Sequence, residues 1–186
     1  MEHTIRPART GDVRAIAALV AGNVESGRVL RKATVTLYED VPEFWVAERG
    51  TGHEVVGCGA LHVMWEDLAE IRTVAVHRSC QGQGVGHRLV EALLDSARQV
   101  GVRRVFVLTF AVGFFARHGF TEIEGTPVSH EVYAELLRSY DEGVAEFLGL
   151  DWVKPNTLGN TRMLMHLRSA PEPPPRLLKP AAPSGR

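Results

Sequence analysis

The fold class this sequence predicts is α/β, with a mixed, mostly antiparallel sheet, a central parallel strand pair and flanking helices. Three observations predict it. "EFWVAE" and "VVGCGALHVMW" have strand patterning on either side of the turn "RGTGHE", which makes them a hairpin. "LAEIRTVAV" reads as a third strand and leads into the glycine-rich "CQGQGVGHRLVEALLDSA". That stretch opens a helix, and the apolar strand "VRRVFVLT" follows it. A strand, a loop, a helix and a second strand make a crossover, which is right-handed and joins parallel strands.

The other elements follow in order. Thr10 is placed to cap a helix whose apolar face is Val13, Ile16, Ala17 and Val20. "RKATVTLYEDV" is a second helix candidate ahead of the hairpin. The helix after the glycines sets Leu89, Val90, Leu93, Leu94 and Ala97 on one face, and Gly101 is placed to end it. "GFFARHGF" reads as a short helix with a glycine stop, "SHEVYAELLRSYDEGVAEFLGL" as helix broken near Gly143, and "TRMLMHL" as the last strand. The expected organisation is one domain over residues 1–168 with a helical insertion at about 126–160. The segment Ser169–Arg186 holds six of the ten prolines and is expected to be a disordered tail.

Composition narrows the function classes. The 186 residues are 45% apolar and 23% charged, enough for one packed core. A net charge of −1 implies no broad basic surface for nucleic acid or anionic membrane. The two cysteines, Cys58 and Cys80, form no CxxC, so a reducing, cytoplasmic setting is the expectation. The polar start lacks the apolar core of a signal peptide, and no apolar run approaches the ~18 residues of a membrane span. The eight histidines show no metal-binding spacing, so no metal is expected.

Three glycines at alternate positions, Gly82, Gly84 and Gly86, stand at the mouth of a helix. Bare backbone there, with the unpaired N–H groups and positive end of the helix, suits a phosphate. A nucleoside-triphosphate loop would need GxxxxGK[ST], but Gly86 is followed by His87. A dinucleotide fold would need GxGxxG and an acidic residue after the next strand, which ends "FVLT". What remains is Gln81-x-x-Gly84-x-Gly86 between a strand and an amphipathic helix.

This motif resembles the (Q/R)xxGx(G/A) turn of the GNAT acetyltransferase superfamily, and "FFARHGF" resembles that family's following short helix, FYxxxGF. The resemblance spans roughly Ile5 to Leu167. "EFWVAE", "VVGCGALHVMWEDLAEIRTVAV" and "SYDEGVAEFLGLDWVKPNTLGNTRML" further resemble the short, single-domain amino-acid N-acetyltransferases of arginine biosynthesis, the N-acetylglutamate synthase type. The resemblance implies acetyl-CoA as co-substrate and transfer in a ternary complex to the α-amine of an acidic amino acid, glutamate first and glutamine second, with a homodimer as the expected assembly. The backbone of Val74, Ala75 and Val76 would pair with the pantetheine arm. Gln81, Gly82, Gln83, Gly84, Val85, Gly86 and His87 would hold the pyrophosphate, with Phe115 packed near the cofactor. Glu70 would be the general base, and Thr109 matches a hydroxyl position of the synthases.

A carboxylate-bearing acceptor calls for guanidinium groups. Arg72 and Arg162 are the candidates, joined by Thr73, Lys154 and Thr161. Glu70 and Arg72 share a strand face unless a bulge intervenes. Each residue also has a plain structural use: a salt-bridged carboxylate for Glu70, a backbone-bonded strand end for Thr109, a surface charge for Arg162. Two rival functions stay open, an acetyltransferase for another small amine and a non-catalytic acetyl-CoA or arginine sensor.

Overall fold

The computed structural model describes residues 3–24, 33–150 and 160–167. Lys154 and the proline-rich segment lie outside the described residues. The strands are β1 (His3–Pro7), β2 (Phe44–Arg49), β3 (Glu54–Trp65), β4 (Leu68–Val76), β5 (Arg104–Thr109), β6 (Thr121–Glu122) and β7 (Thr161–His166). They form one seven-stranded sheet in the order β1-β2-β3-β4-β5-β7-β6. Every neighbouring pair is antiparallel except β4 and β5. The predicted crossover is therefore present, and its parallel pair sits inside an otherwise antiparallel sheet.

The helices are α1 (Val13–Val24), α2 (Thr34–Glu39), α3 (Val85–Val100), α4 (Val112–Ala116), α5 (His130–Leu136) and α6 (Glu142–Leu148). The five predicted core residues of α3 are all buried, and the chain leaves α3 through Gly101 in the left-handed region at φ 92°. α3 packs on one face of the sheet, against Leu61, Ala69, Ile71 and Val105. α1 and α2 cover part of the other face, against Val46, Cys58, Ala60 and Ala75. α5 and α6 cover Leu68, Phe106 and Leu164.

One local reading is corrected, and two edge strands add to those read from the sequence. Thr10 does not cap α1: it opens a 3-10 turn, and the capping carboxylate is Asp12, which accepts from the Arg9 N–H at 2.7 Å. The expected helix break near Gly143 falls between Leu136 and Glu142, and Gly143 is the second residue of α6. The polar opening forms an edge strand, β1, paired with β2. A short strand, β6, adds to β7 at the other edge.

Two irregularities in β4 shape the site. The register with β3 shifts between Cys58 and Ala60, so that Cys58 faces Ala75 while Ala60 faces Arg72. Thr73 sits in this bulge with φ 58°, in the left-handed region that a β-branched residue adopts only when its surroundings impose it. The extra residue reverses the alternation, so Val74 joins Ala69 and Ile71 against the α3 side while Ala75 packs on the α1 side. The second irregularity is the short parallel pairing: β4 and β5 stay in register only from Leu68↔Arg104 to Glu70↔Phe106. Beyond Glu70 the two strands separate.

Candidate active site

The glycine turn leaves β4 through a 3-10 turn at Arg78–Cys80 whose Cys80 is buried. Gly82 and Gly84 adopt φ 75° and 78°, and Gly84 is the N-cap of α3. These two positions need glycine, because a side chain there would be strained. Gln81 Nε2 donates to the Val76 carbonyl at 3.1 Å, and Gln83 Nε2 to the Ser79 carbonyl at 2.7 Å. The glutamines thus brace the turn to the end of β4. The first helical N–H to find its carbonyl is that of Arg88, on Gly84 at 3.1 Å. The N–H groups of Val85, Gly86 and His87 are left for an anion.

Where β4 and β5 separate, the edge of β4 from Ile71 to Val76 has no β5 partner. An extended ligand arm can add there by backbone pairing, as a strand would. The aromatic beside the turn is Phe114, whose ring lies 3.4 Å from where a Gly86 Cβ would sit. Phe115 is a core residue instead, edge-on to Phe114 and Phe120 at 5.0 and 5.4 Å. Of the two rings, Phe114 is thus the one beside Gly86, and Phe115 lies behind it in the core.

Glu70 and Arg72 do share a face, because the bulge begins only after Arg72. Glu70 is buried at 5% exposure, and burial pushes its carboxyl up to about 7, against the opposing pull of Arg72. Its Oε2 has no hydrogen-bond partner among the described residues, and neither does Arg72 Nε. Unsatisfied buried polar atoms are uncommon and call for an explanation. Here both belong to side chains that gather at Gly143 of α6.

The fork of Arg72 is already occupied by protein carboxylates. Nη1 donates to Asp141 Oδ1 and Oδ2 at 2.8 and 2.9 Å, and Nη2 donates to Glu43 Oε2 at 3.1 Å. Asp40 Oδ2 lies 3.7 Å from Nη2. Burial pushes the Asp141 carboxyl up, but Arg72 and the Val144 N–H outweigh it and hold the group below the usual carboxylate range. His62, directly across from Glu70 on β3, is bonded through Nδ1 to Glu43 Oε1 at 2.7 Å. These groups meet over Gly143. A Cβ there would lie 2.9 Å from Arg72 Nη1 and 3.0 Å from both Asp141 Oδ1 and Glu70 Oε2.

Arg162 is likewise engaged with protein. Its guanidinium donates to the carbonyls of Glu146 at 2.7 Å and Phe147 at 2.8 Å, and more weakly to Gly125 at 3.3 Å. It caps the C-terminal turn of α6, where a cation also meets the negative end of the helix. The two arginines expected to hold substrate thus secure the two ends of α6: Arg72 grips its N-cap, Asp141, and Arg162 its last carbonyls. Thr161 faces Thr109 across β5 and β7. Thr109 Oγ1 accepts from the Ala111 N–H at 2.9 Å, which leaves the hydroxyl hydrogen free to donate elsewhere. The Thr73 carbonyl accepts from Cys58 Sγ at 3.7 Å.

A family model described as "Acetyltransferase (GNAT) family" matches residues 19–120, more than half of the chain. The chain belongs to the GNAT acetyltransferase family. Among curated relatives of this GNAT chain, an amino-acid acetyltransferase of Mycobacterium tuberculosis is 61% identical over 165 residues, covering 88% of this chain and 94% of the relative. An amino-acid acetyltransferase of Neisseria meningitidis is 36% identical over 119 residues, covering 63% of this chain but 27% of the relative. Among solved structures, that of Rv2747 from Mycobacterium tuberculosis in complex with CoA and NLQ has a TM-score of 0.85 at 60% identity, covering 89% of this chain and 99% of that one. N-acetylglutamate synthase from Neisseria gonorrhoeae, complexed with coenzyme A and N-acetyl-glutamate, has a TM-score of 0.70 at 26% identity, covering 90% of this chain and 36% of that one.

The opening between β4 and β5 and the glycine turn lie at the same end of β4, and Glu70 stands where that opening begins. Reading the sequence missed Glu43, His62 and Asp141, which complete the polar cluster. His62 carried a signal, as a polar residue within an apolar strand. Glu43 and Asp141 carried none, because only folding brings residues 43 and 141 to Arg72.

Proposed function

We propose that this protein transfers the acetyl group of acetyl-CoA to the α-amine of glutamate or glutamine, the entry reaction of arginine biosynthesis, by direct attack in a ternary complex. The observation that carries the reading is Glu70: a buried carboxyl raised to about 7, with an unpartnered oxygen, at the point where β4 leaves β5. A base with that pKa is matched to removing a proton from an amine near neutral pH. The N–H of Val74, just past the bulge, is the candidate donor to the thioester oxygen as negative charge develops there. The thiolate has a pKa of about 8.5 and leaves with little acid assistance, so Thr109 needs only to donate a hydrogen bond. The glycine turn holds the phosphates and fixes the thioester relative to Glu70.

Between the two acceptors, the cluster around Arg72 favours glutamine. Three carboxylates surround the guanidinium, so it offers little net attraction to a second acidic side chain. The test is thiol release from acetyl-CoA across the twenty amino acids. Turnover with glutamine above glutamate supports this reading. Cofactor binding with no turnover on any amino acid overturns it in favour of a sensor. Preference for a cationic amine would make the carboxylates around Arg72 the acceptor's own site.

A further inference from the structure

Two histidines join the glycine turn to the segment after α4. His87 Nδ1 and His118 Nε2 lie 2.8 Å apart and share a hydrogen bond. Phe114 packs against both rings, at 4.6 Å from His87 and 5.4 Å from His118. His87 stands in the first turn of α3, three residues past the Gly84 N-cap, so its own N–H is one of the three left for an anion.

A bond between two imidazoles constrains where their protons sit. If His118 donates from Nε2, neutral His87 accepts at Nδ1 and must carry its hydrogen on Nε2. If His87 is a cation, it donates from Nδ1 to His118 and again presents an N–H at Nε2. Only the remaining neutral pattern, with His87 donating from Nδ1, leaves a bare lone pair on His87 Nε2. An anion at the turn selects against that pattern and favours the cation. Burial and the neighbouring His87 both lower the basicity of His118. The other charges that act on His118 are Glu91, one turn along α3, which favours a proton, and Arg117, which disfavours it.

We infer that His118 is a positioning residue for the cofactor: it holds His87 as an Nε2–H donor to the pyrophosphate and lets the pair take up a proton when acetyl-CoA binds, so that affinity is tied to pH. This rests on the glycine turn being the acetyl-CoA site.

Calorimetric titration of the full chain with dephospho-CoA, in buffers of different ionisation heat, tests it. Dephospho-CoA keeps the pyrophosphate but lacks the phosphate monoester, which itself titrates at a pKa of about 6. The expected result is uptake of a fraction of one proton per ligand at pH 7, with Kd rising at least about threefold from pH 6 to pH 8. His118→Phe keeps a ring beside Phe114 and should reduce both the uptake and the pH dependence, because His87 loses the partner that accepts from its Nδ1. Uptake absent from the native protein, or unchanged in His118→Phe, overturns the inference. A native protein that fails to bind dephospho-CoA and CoA at every pH overturns the cofactor reading itself, a distinguishable result. If His118→Phe does not fold, nitrogen-15 NMR of the native histidines decides: the complex should show a hydrogen on His87 Nε2, and a bare His87 Nε2 in the complex overturns the inference.

Discussion

Glu70 owes its chemistry to the neighbours that leave it unsatisfied. Buried, and held at about 7 by loss of solvent, it is half-ionised near neutrality. A base must be ionised to act, so kcat/KM for the amino acid should rise with pH through about 7 and level off above it. Glu70→Gln should lower kcat by about 10²–10⁴-fold with CoA affinity unchanged. Near-native kcat in that variant would make Glu70 structural. The same pKa has a consequence for stability. The folded state holds the proton more tightly than the unfolded state, so this stabilising contribution is complete below the ordinary carboxylate pKa and is lost as pH rises toward 7. Glu70→Gln should therefore unfold at higher denaturant than the native protein at pH 8, with the difference shrinking toward pH 5. Thr109→Val should reduce kcat far less than Glu70→Gln, since a thiolate needs little help in leaving. The reverse order would exchange the two roles.

At the scale of elements, α6 and the glycine turn each depend on a few named contacts. Arg162 holds the last carbonyls of α6, and hydrogen bonds from a charged group contribute about 1.5–3 kcal/mol. Arg162→Ala should lower unfolding stability by about 2 kcal/mol. It should also raise KM for the amino acid through displacement of Asp141 and Gly143, while CoA affinity stays the same. Denaturant unfolding and steady-state kinetics, measured on one preparation, decide the matter. A large rise in amino-acid KM with unchanged stability would instead mean that Arg162 touches the acceptor directly. In the glycine turn, Gly84 occupies φ 78° at the entrance to α3. Gly84→Val should weaken CoA binding by a factor of ten or more in a folded protein, through strain at this position and a side chain where the backbone must approach phosphate. Unchanged CoA affinity would remove the cofactor assignment.

Across the whole molecule, the sheet is continuous at its β1–β4 and β5–β7 sides but open between them beyond Glu70. A ligand that pairs with β4 in that opening and reaches the glycine turn ties the two halves together. CoA at one hundred times its Kd should stabilise the fold by about 2.7 kcal/mol, a rise in Tm of about 5–10 °C for a domain of this size. Hydrogen exchange should slow most at Val74, Val76 and the first turn of α3, with little change in β1 and β2. Protection spread evenly over the sheet would argue against binding in the opening.

Much of the fold was legible in the sequence because its signals are local. Strand alternation, the apolar face of α3, the left-handed glycines and the Gly101 stop each act within a few residues, and each is in place in the structure. The glycine turn was legible for the same reason: its parts lie within seven residues, from Gln81 to His87. Glu70 was nameable from a family motif, but its pKa was not, because burial by α6 comes from residues some seventy positions away. Arg72 and Arg162 show the limit most plainly. A guanidinium in a strand predicts a partner of opposite charge or a set of carbonyls, and the sequence alone does not say whose. Tertiary packing decided that Asp141, Glu43 and the end of α6 fill those forks before any substrate arrives, because a buried charge takes the nearest compensating group that folding brings to it.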